Sequence, residues 1–210
     1  MVYIKKSVGP RQLIEYRKST PDASYDGLPS DIKEEIKTYL LKEQGCICAY
    51  CMSRIKTATT HIEHYIPQKP EAIGRLSDLD YRNMLGVCPG NEGTPYKTQT
   101  CDSHRKNMSL TVNPLVKSTI DTIRYSSSGH IESTNIEINK DLNETLNLNL
   151  RILVDNRKSA LDKLKRELIK RKQMGMWIGL AQQYIEKLDD DGMKEPYCGI
   201  LLWYLRTKAK

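Results

Sequence analysis

The chain has no run approaching the roughly eighteen apolar residues of a membrane-spanning helix, and its opening, "MVYIKKSVGPRQLIEY", carries charge where a secretory leader would be continuously apolar. A cytoplasmic protein with no membrane association is the expectation. Histidine is scarce, at 4 residues in 210. The 6 cysteines are too few and too unevenly spread for a secreted disulfide framework: five fall between Cys46 and Cys101, and Cys198 stands alone. Clustered cysteines in such a chain point to metal. No internal repeat, low-complexity tract or long linker breaks the sequence. One domain over residues 1–210 is therefore expected, large enough to bury a core without cross-links.

Positive charge is in excess, with 33 Lys and Arg against 26 Asp and Glu, a net charge of +7 and a pI near 9.0. Such a balance favours a polyanionic partner, because each phosphate neutralised releases condensed counterions. The excess is sharpest over 151–173, where nine basic residues face three acidic ones. That run reads either as a solvated helix face or as one that meets phosphate or a partner protein.

Elements can be placed from spacing and punctuation. In "LPSDIKEEIKTYLLKEQG", Ser30 is a candidate cap, Asp31, Glu34 and Glu35 suit the positive end of a helix dipole, and Gly45 supplies a stop. Ile32, Ile36, Tyr39 and Leu40 recur at helical spacing. Two β-prone runs flank "SSSG" and predict a hairpin, with His130 in a structural position after its turn. The spacing predicts a helix over 155–173 with Leu161, Leu164 and Leu168 as its apolar stripe. A further helix carries Trp177, Leu180, Ala181, Tyr184 and Leu188, and "GILLWYLR" after Pro196 begins the last. The expected class is α+β: a small core over 46–110 in a mainly helical scaffold, then a β-hairpin and a helical subdomain over 111–210.

The chemistry-bearing residues lie in the first part. "CICAYC" gives Cys48 and Cys51 the spacing with which two thiolates of one turn reach the same tetrahedral zinc. Cys88 and Cys101 complete a four-thiolate structural set. Cys46 can replace one member of the first pair, and His104, three residues after Cys101, can displace Cys88. The set Cys48, Cys51, Cys88 and Cys101 is preferred because it leaves the histidines free. Between the cysteines stands "HIEHYIPQ", residues 61–68, with two of the four histidines and a glutamate.

In sequence, Cys48-x-x-Cys51, Glu63-His64 ahead of Pro67, Asn83, Cys88 and "CDSHRKN" resemble the HNH, or ββα-metal, nucleases. In that family two short strands and a helix surround a divalent ion over a zinc knuckle. The resemblance implies His64 as general base for the attacking water, a role suited to a group that titrates near neutrality. It implies Glu63 as an oxygen ligand of Mg²⁺ or Mn²⁺, and Asn83 as the residue that holds the loop and imidazole in place. Glu63 stands where Asp is common in the family. For the last member, position favours Asp102 and residue type favours His104; two residues on a helix are about 200° apart, so one ion cannot take both. Asp102 is assigned to the divalent ion and His104 is kept in the site. His61 matches no required role.

A narrower resemblance rests on "EQGCICAYC", "YRNMLGVCPGN", "CDSHRKN" with the following "NPL", and "LNLNLRILVDNR". Together with "HIEHYIPQ" these are similar to the retron-associated and Septu-type nuclease subunits of bacterial antiphage defence. It implies an HNH endonuclease acting on DNA or tRNA beside an ABC-type ATPase subunit, with a retron reverse transcriptase and its DNA–RNA hybrid as further associates. Where that branch often has Lys-Gly-Asn, this chain has Arg105-Lys106-Asn107. Two other functions stay open: a stand-alone restriction-type endonuclease, and a non-catalytic, zinc-stapled nucleic-acid-binding adaptor.

Overall fold

The structure is a computed structural model that describes residues 1–67, 78–173, 180–189 and 192–208. It is an α+β assembly of helices around two small antiparallel sheets. Helices α1 (Arg11–Ser19) and α2 (Ser30–Gln44) come first. Strands β1 (His61–His64) and β2 (Met84–Val87) pair next, with Glu63 opposite Leu85 and His64 opposite Met84, and the five-residue helix α3 (Cys101–Arg105) follows. After α4 (Lys117–Ile120), β3 (Ile123–Tyr125) and β4 (Ile131–Ser133) form the hairpin expected around "SSSG". Helices α5 (Ile136–Lys140), α6 (Arg151–Gln173), α7 (Leu180–Asp189) and α8 (Cys198–Lys208) complete the order.

Two apolar clusters organise these elements. Leu13 of α1, Ile32, Ile36 and Leu40 of α2, Leu79, Tyr81 and Met84 form the smaller. The larger joins the cysteine segment to Leu85 and Val87 of β2, the β3–β4 hairpin, Leu161, Leu164 and Leu168 of α6, and Ile200, Leu202 and Leu205 of α8. Strand β2 serves both, because successive side chains of an extended chain point to opposite faces: Met84 goes one way, Leu85 and Val87 the other. That explains why a strand of only four residues is buried throughout.

Helix α2 ends as its sequence requires. Gly45 takes the left-handed conformation, φ 66°, and its N–H bonds back to the carbonyls of Leu41 and Lys42. The start differs from expectation. Pro29, not Ser30, holds the cap position, and no side chain caps the helix; with φ −54° and ψ 147° the proline sets the entry angle and Ser30 becomes the first helical residue. Helix α6 begins at Arg151, four residues before its expected start. Helix α7 occupies the stretch of the second amphipathic pattern, and Trp177 lies outside the described residues. A single π-helical turn over Asp141–Thr145, unforeseen in the sequence, follows α5 and brings the Leu146 carbonyl to the N–H of Cys101, 3.0 Å away. No helix among the described residues is long and apolar enough to cross a membrane.

The last side chain of α2 ties the helix to the sheet. Gln44 is buried; its Nε2 donates to the carbonyls of Ile47 at 2.9 Å and Gly86 at 2.7 Å, and its Oε1 accepts the Gly86 N–H at 2.8 Å. Removing the amide strands Ile47 O and the Gly86 N–H away from water, while Gly86 O keeps the Ala49 N–H at 3.0 Å. Gln44→Ala is expected to lower stability by roughly 2–4 kcal/mol, read as a reduced denaturation midpoint in urea with an unchanged slope.

Candidate metal centre and active site

The cysteine centre is assembled by turns. Cys48 opens a tight turn in which its N–H bonds Ser53 O at 2.9 Å and the Met52 N–H bonds its carbonyl at 3.0 Å, which sets Cys51 alongside. Cys88 leaves the end of β2, and Cys101 starts α3. The loop between them is pinched shut: the Thr100 N–H donates to Gly90 O at 2.8 Å, and Ser103 Oγ to Pro89 O at 2.6 Å. Gly90 permits this approach, since a Cβ there would sit 2.0 Å from the Thr100 carbonyl oxygen. A long sequence separation thus becomes a short distance.

All four sulfurs lie within 4.8 Å of one another. Neighbouring pairs are 3.9 Å (Cys48 and Cys101), 3.7 Å (Cys51 and Cys88) and 3.7 Å (Cys88 and Cys101) apart. Bonds of about 2.3 Å to a central zinc would place sulfurs about 3.8 Å apart along a tetrahedral edge. The donor set therefore fits a tetrahedral metal ion. Electrostatics agrees: hydrogen bonds from the neighbouring thiols, Cys101 first, hold Cys88 far below the usual thiol range, whereas burial pushes Cys48 up and hydrogen bonds to the other thiols push Cys101 up. Four sulfurs this close, three of them buried, cannot all ionise without a cation among them.

Neither rival ligand enters this group. Cys46 stands outside it, in the αL conformation at φ 57°, with its carbonyl taken by Ile55 N–H and Arg54. His104 is buried; its Nδ1 meets the Thr145 carbonyl at 2.9 Å, and its ring stacks on Tyr96 with centroids 4.0 Å apart. That placement leaves His104 outside the four-sulfur group.

Above the centre, β1, β2 and α3 bring a set of polar groups to one corner. Glu63 accepts the Tyr50 hydroxyl at 3.1 Å and pairs with the fully buried guanidinium of Arg105. Asp102, one turn back on α3, has its carboxyl beside that of Glu63. Burial, then the Asp102 charge, push the Glu63 carboxyl up to about 8 against the pull of Arg105. Arg105 also donates to the carbonyls of Met108 at 2.8 Å, His64 at 3.2 Å and Tyr65, so it fixes the end of β1. Arg105 and Tyr50 are site residues that the sequence reading missed; Tyr50 lies inside "CICAYC", but its type alone marks nothing.

His64 points to the other side of the strand. Its Nε2 lies 2.7 Å from the Asp78 carbonyl oxygen, which can only accept, so Nε2 carries the proton and Nδ1 keeps the lone pair. Burial lowers the imidazole's affinity for a second proton, which holds the ring neutral. Only 6% of the residue is exposed, and Tyr25 stands edge-on to the ring with centroids 4.7 Å apart. Asn83 grips the loop that follows: its Oδ1 accepts the Ile66 N–H at 2.7 Å, its Nδ2 donates to Ile66 O at 3.0 Å, and its carbonyl accepts the Tyr65 N–H at 2.8 Å.

A cleft of about 430 Å³ opens beside this corner, lined by Tyr25, Ser30, Lys33, Glu34, Lys37, Thr60, His61, Ile62 and Asp102. Lys33 and Lys37 lie one turn apart on α2, and the Lys33 ammonium sits over the Tyr25 ring, 4.9 Å from its centroid. His61 is half-exposed here, 3.9 Å from Glu92. A larger cavity of about 630 Å³, with Tyr3, Lys5, Arg124, Trp203 and Arg206 in its wall, shares no residue with the cleft and holds none of the groups named above. His130 stays on the hairpin turn, its Nδ1 3.1 Å from Ser128 Oγ.

No protein-family model matches this chain, and no curated protein matches it.

The segment after Arg105 carries a conformational cost. Lys106 adopts φ 53° and ψ −124°, a region that glycine enters freely and a side chain resists. Lys106→Gly is expected to stabilise the protein by about 1 kcal/mol, a rise in Tm of about 2–4 °C by calorimetry for a chain of this size.

Proposed function

We propose that this chain is a metal-dependent nuclease of the HNH type, with Cys48, Cys51, Cys88 and Cys101 holding a structural zinc. The observation that carries the reading is a strand–strand–helix unit, its helix starting at a cysteine of the four-sulfur group, that sets Glu63 beside Asp102 and carries His64 on the opposite face of the same strand. Hydrolysis of a phosphodiester needs a base, and the neutral His64 ring, with Nδ1 as its lone-pair atom, has the protonation state for it. The Asp78 carbonyl fixes the tautomer, and Asn83 fixes the loop that carries the base. Glu63 and Asp102 are the residues that would hold Mg²⁺ or Mn²⁺, whose contribution when bound is to stabilise charge on the phosphate and the departing oxygen. Two adjacent carboxylates suit a hard cation, and the Asp102 charge is, after burial, a cause of the upward shift of Glu63. Lys33 and Lys37 place positive charge along the cleft that ends at Asp102, where a phosphate chain would run.

Tyr25 touches both the cleft and the imidazole, so in this reading its ring has to move aside before the base can meet substrate. The likeness of "EQGCICAYC", "YRNMLGVCPGN" and "LNLNLRILVDNR" to the retron-associated and Septu-type subunits supports the finer reading: an antiphage defence nuclease controlled by an ABC-type ATPase. One observation favours the adaptor reading instead. Arg105 already neutralises Glu63, as a permanent cation would in a site that takes no metal.

Elemental analysis of untagged protein is expected to give about one zinc per chain, as four thiolate ligands require. His64→Ala is expected to cut cleavage of nucleic acid with Mg²⁺ or Mn²⁺, assayed with the ATPase partner present, by at least about 10²-fold while the circular dichroism spectrum is kept. Cleavage retained by that variant defeats the nuclease assignment, and absence of cleavage by the wild type under the same conditions favours the adaptor.

A further inference from the structure

The basic run on α6 hides an exception. Lys158, Lys163, Arg166 and Lys170 are exposed, but Arg157 is fully buried, on the helical face that carries Leu161, Leu164 and Leu168. Its partners are all neutral oxygens: Nε donates to Gly129 O at 2.6 Å, and Nη2 to Leu148 O at 2.8 Å and Asn149 Oδ1 at 3.2 Å. Nη1 is buried with no hydrogen-bond partner, and no carboxylate among the described residues pairs with this guanidinium. A buried cation without a counter-charge is among the costliest arrangements a fold can hold.

The backbone leads from Arg157 to the cysteines by two hydrogen-bonded routes. Leu148, which accepts from Nη2, is two residues from Leu146, whose carbonyl takes the Cys101 N–H at 3.0 Å. Asn156, the preceding residue, donates to the Tyr197 hydroxyl at 2.9 Å, and Tyr197 N–H bonds the carbonyl of Met52, next to Cys51, at 2.9 Å. Burial lowers the guanidinium's hold on its proton, and the groups close enough to oppose this when ionised are Tyr125, Cys51, Tyr197 and Cys101. Four thiolates around one divalent ion leave a net double negative charge.

We propose that Arg157 is the counter-charge of the four-cysteine metal centre, so that loading the ion and burying this guanidinium are one coupled event. Because the same side chain ties the hairpin turn at Gly129 and the 148–149 segment to α6, the coupling fastens the C-terminal half to the cysteine core. The inference rests on the metal centre alone and is indifferent to whether the corner above it cleaves anything.

The full-length chain and its Arg157→Met and Arg157→Lys variants test it, with zinc affinity measured by competition against a chromophoric chelator. Arg157→Met, which keeps bulk and removes charge, is expected to weaken zinc binding about 10–100-fold, the range found for groups that support metal ligands from behind. Arg157→Lys, which keeps charge and loses the fork of donors, is expected to stay within a few-fold of wild type. A clamp with no electrostatic role would make the two variants lose affinity alike. That result, or an unchanged affinity in Arg157→Met, overturns the proposal. If Arg157→Met does not fold, hydrogen exchange on the wild type decides. Chelating the zinc is then expected to speed exchange about tenfold or more over 148–157 while 32–41 in α2 keeps its protection. Equal acceleration in both segments, or none at 148–157, overturns it.

Discussion

Four sulfurs meeting at one point are the constraint that the rest of the site hangs from. They come from a turn after α2, the end of β2 and the start of α3, so whatever holds them together also sets the relative placement of these elements. The apolar core alone is a weak guarantor of that geometry. Strands β1 and β2 have four residues each and α3 has five, lengths at which isolated hairpins and helices are marginal in water. A tetrahedral ion supplies what these short elements lack, because its binding free energy becomes folding free energy. The distances of 3.7–3.9 Å between neighbouring sulfurs show that the chain fold and such an ion ask for the same arrangement.

How far the sequence disclosed this depends on the kind of physics involved. Local rules were legible: Gly45 as a left-handed stop, the hairpin around "SSSG", and the leucine stripe of α6. The cysteine quartet was legible because thiolates at turn spacing have few other uses in a chain without disulfides. The role of Pro29 at the start of α2 was not, since Ser30 is the better cap by type and loses to the fixed backbone angles of the proline before it. The π-turn at Asp141–Thr145 was not, because its hydrogen bonds look like helix in sequence. Most of all, buried arginines were not. Arg105 and Arg157 read as members of charged stretches, yet both are fully buried. A signal did exist for one of them: Arg157, Leu161, Leu164 and Leu168 share helical spacing, so the arginine sits on the apolar stripe and not on the solvated face.

The two arginines pose the same electrostatic question with different answers. Arg105 is matched: it meets the Glu63 carboxylate, the Tyr50 hydroxyl and three carbonyls, so each of its three nitrogens has a partner. Arg157 meets only neutral oxygens and leaves one nitrogen unused. Hydrogen bonds to carbonyls satisfy donors but do little for the charge itself, which burial penalises by several kcal/mol unless an anion lies near. The four-cysteine centre is a source of negative charge to which its surroundings are bonded on both sides.

The same reasoning bears on the corner at Glu63. Burial first, and then the charge of Asp102 beside it, push the Glu63 carboxyl up to about 8 even with Arg105 against it. One cation and two carboxylates leave a deficit of one positive charge. A divalent ion would fill that deficit with charge to spare for an incoming phosphate. In the nuclease reading, then, Arg105 is less a rival of the metal than its companion: it neutralises the carboxylate oxygen that faces inward and ties β1 down through the His64 and Tyr65 carbonyls. Asp102, which lines the cleft, is left as the carboxylate that faces substrate.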